Sequence, residues 1–61
     1  MAVSTAVNTL VRHTASGWSG RVWNFDPTVE YAVYVMFNAA QGFGECYTEA
    51  EFQDKFEEVA R

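Results

Sequence analysis

One cysteine and one histidine in 61 residues leave this chain no internal disulfide and too few ligands for a structural zinc site. A domain this short buries only about 60% of the surface its unfolded chain exposes, so burial and ordering cost nearly cancel. Close packing of apolar side chains has to hold the fold, and a second chain is the remaining source of stability. The material for packing is five Phe, three Tyr and two Trp, within a hydrophobic content of 49%. That content is above the range of disordered chains. A single small globular domain over residues 1–61 is expected.

Charge is divided by position. Residues 1–25 carry Arg12 and Arg21 and no acid, whereas residues 26–61 carry eight acids against Lys55 and Arg61. The two parts stand at +2 and −6, which sum to the net −4. The longest apolar stretch, Tyr31 to Phe37, is far short of the ~20 residues of a membrane helix, so no membrane span is expected. The Ser- and Thr-rich, acid-free start superficially resembles an organelle transit peptide, but it is expected to belong to the fold. A lone thiol without a secretory signal points to a reducing cytoplasm.

The clearest local signal is the pair Thr48 and Glu51, a capping box followed by Phe52, Phe56 and Val59 at helical spacing. Tyr47 and Phe52 occupy the positions of a hydrophobic staple, and Glu51 with Lys55 is a favourable i,i+4 pair. A helix over about residues 49–60 is predicted. Residues 29–37 admit two readings. As a strand, Val29, Tyr31, Val33, Val35 and Phe37 line one face. As a helix, Asp26 is the N-cap, Pro27 the first helical residue and Gly42 the C-terminal stop. The β-branched and aromatic content favours the strand. Trp18 to Phe25 then forms the other arm of a hairpin that turns through Asp26-Pro27-Thr28. Residues 3–11 alternate Val3, Thr5, Val7, Thr9 and Val11 and are read as a third strand, while residues 39–46, with Gly42 and Gly44 around Phe43, are read as a loop.

The expected fold is α+β, a three-stranded antiparallel β-meander followed by one C-terminal α-helix, with a small three-helix bundle as the alternative. Phe52, Phe56 and Val59 would pack on one sheet face. The other face would show some of Ala32, Tyr34 and Met36 with one tryptophan.

The residues that carry chemistry are few. Cys46 lies near a helix start, where a thiolate is favoured, and with His13 it defines a small thiol-dependent enzyme as one alternative. Glu45 beside it opposes a thiolate, and His13 reads as a strand-end residue. Trp18, Trp23, Arg12 and Arg21 are ingredients of a stacking platform for single-stranded nucleic acid, but two arginines on a −4 chain make a weak footprint. No cofactor, metal or phosphate-binding motif is expected, because the glycines around Phe43 lack the downstream Lys and Ser/Thr of a P-loop.

What remains is a non-enzymatic protein-interaction module. Its expected contact residues are Glu49, Asp54, Glu57 and Glu58 on an acidic helix face and Trp18, Trp23, Tyr34 and Met36 on an aromatic face. Aromatic residues and Met are enriched in interface cores, and clustered acids steer cationic partners. The expected partner is a protein, including the basic surface of a nucleic-acid-binding one, or a second copy in a homodimer. Compact acidic chains of this kind include phage and mobile-element inhibitors of host nucleic-acid machinery, anti-CRISPR proteins among them. That analogy rests on size and charge and on no motif.

Overall fold

The computed structural model describes residues 2–59. Five strands, β1 (Leu10–His13), β2 (Ser19–Phe25), β3 (Val33–Asn38), β4 (Phe43–Tyr47) and β5 (Phe56–Glu58), form one antiparallel sheet in the order β4-β3-β2-β1-β5. One helix, α1 (Glu49–Lys55), lies between β4 and β5. The α+β class stands as predicted, and β2 pairs with β3 as expected, but the hairpin connection runs over residues 26–32 instead of closing through Asp26-Pro27-Thr28, so its second arm begins at Val33 and not at residue 29. The meander has more strands than expected, and the three-helix alternative is excluded because residues 33–38 are strand.

Each departure has a local cause. The predicted strand 3–11 is interrupted at Asn8, whose φ of 75° is left-handed, and Thr9 closes a turn by donating its amide to the Ala6 carbonyl at 3.1 Å. Asn tolerates that conformation where β-branched neighbours do not. Val29 and Tyr31 are exposed in the β2–β3 connection instead of lining a strand. There the Asp26 carboxylate accepts from the Thr28 hydroxyl at 2.6 Å and the Thr28 amide at 3.0 Å, which also holds its carboxyl below the usual carboxylate range. Residues 43–46 belong to β4 and not to a loop, because the bend is confined to residues 39–42 and uses the positive φ of Gly42.

The capping box forms as predicted: the Thr48 hydroxyl accepts from the Glu51 amide at 3.1 Å, and the Glu51 carboxylate reaches back to Thr48. That backbone bond first, with the Thr48 hydroxyl and Lys55 after it, lowers the Glu51 pKa. The helix nevertheless stops at Lys55 and the chain turns directly into β5. The predicted end at residue 60 lies outside the described residues. Phe52 and Phe56 satisfy the helical period, but the Lys55 carbonyl is taken by the Thr14 amide at 2.9 Å and the chain then zips along β1. Replacing Thr48 with Ala is expected to cost about 1 kcal/mol, measured as a lower urea midpoint at unchanged m-value.

Cross-strand partners share a face. Val11, Gly20, Val22, Val33 and Val35 point to the inner face, where Phe52 of α1 and Phe56 complete the core. Val59 takes no part in that core: it is 38% exposed and donates its amide to the Leu10 carbonyl. A flat sheet would hold β4 and β5 about 19 Å apart, four strand spacings. Tyr47 and Phe56, one on each edge strand, bring their rings to 5.0 Å, a gap two such side chains cannot bridge on a flat sheet. The sheet is therefore curled around the inner face. Two β-bulges provide the bend, with Trp23 as the extra residue in β2 and Phe37 as the extra residue in β3.

Candidate functional site

The outer face is built by register. Leu10, Arg21, Met36 and Gly44 form one row across four strands, and Asn24, Tyr34 and Cys46 form the next. Helix α1 packs on the opposite face, so nothing in α1 covers these residues. The bulge in β2 adds Trp23 to this side. Leu10, Arg21, Trp23 and Met36 line an open groove of about 330 Å³, mostly apolar, with Trp23 47% exposed. Tyr34 lies over Gly44, where a Cβ would sit 2.9 Å from its ring.

Trp23, Tyr34 and Met36 thus share the outer face as expected, and Ala32 does not, being buried in the core. Trp18 belongs elsewhere. It meets Phe37 at 5.7 Å and Phe43 at 5.3 Å, both edge-to-face, and closes the open end of the inner face. From there the rings continue through Phe37 and Phe56 to buried Phe52. A single stacking platform that uses both tryptophans is not formed, because Trp18 and Trp23 lie on different sides of the sheet.

Beside Trp18 is a smaller notch of about 120 Å³ lined by His13, Ser16, Glu45 and Tyr47. The His13 Nδ1 accepts from the Ser16 amide at 3.2 Å, and its ring meets Phe56 edge-on. The Tyr47 hydroxyl donates to Glu45 at 3.1 Å. Burial first, and then that bond and the charges of Glu45 and Glu51, push the Tyr47 phenol up to about 12. Cys46 is exposed in the outer row opposite Tyr34, on the other face from His13, so the two are not brought together. Among the described residues no three His, Cys, Asp or Glu side chains gather as metal ligands.

The four acids expected on one helix face are divided between two elements. Glu49 and Asp54 are exposed on α1, whereas Glu57 and Glu58 lie in β5. Glu57 accepts from the Arg12 guanidinium at 2.7 Å, and Glu58 accepts from the Ser4 amide at 3.1 Å. Sequence reasoning placed Arg21 with Trp23 but missed Leu10 as a part of the groove. The proximity of Leu10 and Met36 to these two follows from the β1–β2–β3 register, which no local pattern encodes. No helix among the described residues is long and apolar enough to cross a membrane. Comparison with protein-family models, curated proteins and solved structures gives no match to this chain.

Proposed function

We propose that this protein is a non-enzymatic interaction module that acts by occupying the surface of a protein partner. The outer sheet face anchors, and the acids of α1 guide the encounter. The observation that carries this reading is the groove of about 330 Å³, whose Trp23 and Met36 are among the residue types that dominate binding hot spots and interface cores. It opens on the face that α1 leaves bare. The second support is charge, since Glu49 and Asp54 are exposed and have no ion pair among the described residues. They favour a basic partner surface such as that of a nucleic-acid-binding protein. Inhibition of host nucleic-acid machinery, as mobile elements practise it, is the activity this pairing suits. An exposed lone thiol suits a reducing compartment such as the cytoplasm.

The test is capture from a lysate of the native host with the parent protein and two variants, Met36→Asp and the pair Glu49→Lys with Asp54→Lys. The parent is expected to retain a defined protein, and Met36→Asp to lose it while its circular dichroism stays unchanged. Charge reversal on α1 should slow association at least about tenfold at low salt, with the difference shrinking as salt rises. Glu57 is left intact, because a lysine there would face Arg12 and perturb the sheet. Light scattering separates a second copy of this chain from a foreign partner. A stable monomer that retains nothing, or variants that bind as the parent does, would exclude the reading.

A further inference from the structure

We infer, building on the interaction reading, that the outer groove receives a bulky apolar side chain of a protein partner together with an adjacent carboxylate, which closes on Arg21. The groove joins two chemistries. Leu10, Trp23 and Met36 supply apolar walls, and Arg21 sits between Leu10 and Met36 in the same cross-strand row. The other two cations of the described residues have acidic partners: Arg12 holds Glu57 at 2.7 Å and Lys55 holds Glu51 at 3.5 Å. Arg21 has no ion pair among the described residues, and its one side-chain hydrogen bond there is a long 3.4 Å donation to the Asn8 carbonyl. A planar guanidinium suits a two-pronged carboxylate contact, and Trp23 and Met36 line the same groove for the neighbouring apolar side chain.

Size and charge select the occupant. At about 330 Å³ the groove is at the lower end of ligand clefts and has room for one or two side chains. Enclosed small-molecule sites bury most of their ligand, whereas here Trp23 stays 47% exposed. An occupant that is tethered to a larger surface gains the missing contact from its surroundings. A polyphosphate strand is disfavoured by the net charge of −4, and one carboxylate is not.

The probe is acetyl-Gly-Phe-Asp-Gly-amide, titrated against the ¹⁵N-labelled protein with its Asn counterpart and oligothymidylate in parallel. Saturable shifts are expected at the Trp23 indole and at the Leu10, Arg21 and Met36 amides. The Asn peptide should bind roughly three- to fivefold more weakly, and Arg21→Gln should remove that difference. Equal binding of the Asp and Asn peptides overturns the assignment without involving any variant. It is also overturned by shifts centred away from the groove, or by oligothymidylate saturating these residues at lower concentration. Capture of a partner that Met36→Asp abolishes, alongside a silent peptide titration, would retain the interaction reading and reject this one.

Discussion

Phe56→Ala is expected to abolish cooperative folding at 37 °C. The ring is 4% exposed and touches His13, Phe37, Tyr47 and Phe52 at centroid distances of 5.1, 6.2, 5.0 and 5.3 Å. Those neighbours come from β1, β3, β4 and α1, so one truncation opens a void beneath four elements at once. Removing a buried phenyl ring costs about 3–5 kcal/mol. A domain of this size has only roughly 3–9 kcal/mol in total. Phe43→Ala is the matched control, since Phe43 lies at the open end of the same ring cluster and is 40% exposed. Its loss should cost less than half as much. Urea unfolding followed by tryptophan fluorescence at 15 and 37 °C decides the matter, and a Phe56→Ala protein with a normal midpoint would refute the central place given to that ring.

The second large effect is expected from a single added methyl group. Gly20 is buried in β2, and a Cβ there would stand 2.7 Å from the Met36 carbonyl oxygen, 3.1 Å from Val35 Cγ1 and 3.2 Å from Phe37 Cδ1. Its backbone lies outside the left-handed region, so the penalty is one of space alone. Alanine is otherwise favoured over glycine in ordered backbone, yet Gly20→Ala should destabilise by about 2–3 kcal/mol through overpacking. The nearest obstacle is backbone, which cannot rotate aside as a side chain does. Relief must come from shifting β3 at Met36, so the variant should also disturb the outer groove. Chemical denaturation reads the first effect and the Trp23 indole resonance the second; a neutral Gly20→Ala would show that β2 and β3 are less closely apposed than these distances require.

Local signals were legible in the sequence where one residue's chemistry decides the outcome. Thr48 and Glu51 announce the start of α1, and Asp26 with Thr28 announces the turn after β2. The alternation of Val33 and Val35 marks the buried side of β3. The failures occur where a distant contact outweighs local preference. Phe56 fits the helical spacing set by Phe52, and nothing near it reveals that Thr14 takes the Lys55 carbonyl and that β1 offers a free edge. Gly42 and Gly44 suggest a loop, but only Gly42 bends the chain; Gly44 is a strand residue left small so that the Tyr34 ring can lie over it. The same limit applies to the candidate site. Residue type and alternation pointed to Trp23, Tyr34 and Met36, and Arg21 stood beside Trp23 in the sequence, whereas Leu10 joins them only through pairing across β1, β2 and β3.

The placement of β5 beside β1 also orders events during synthesis. As the ribosome delivers the chain, β1 through β4 can pair by successive neighbour contacts, each over a short loop. The far edge of β1 cannot be sealed until residues 56–58 have emerged, some 45 positions after their partners Val11, Arg12 and His13. Until then a nascent chain displays an unpaired edge, the kind of surface that recruits other strands. The Gln53 side chain, which accepts from the Val3 amide at 2.6 Å and donates to the Val3 carbonyl at 2.8 Å, likewise fastens the beginning of the chain to its last fifth. Interrupted translation would therefore release fragments in which β1 lacks its outer partner and Val3 its clasp, and such fragments are expected to be sticky and readily degraded.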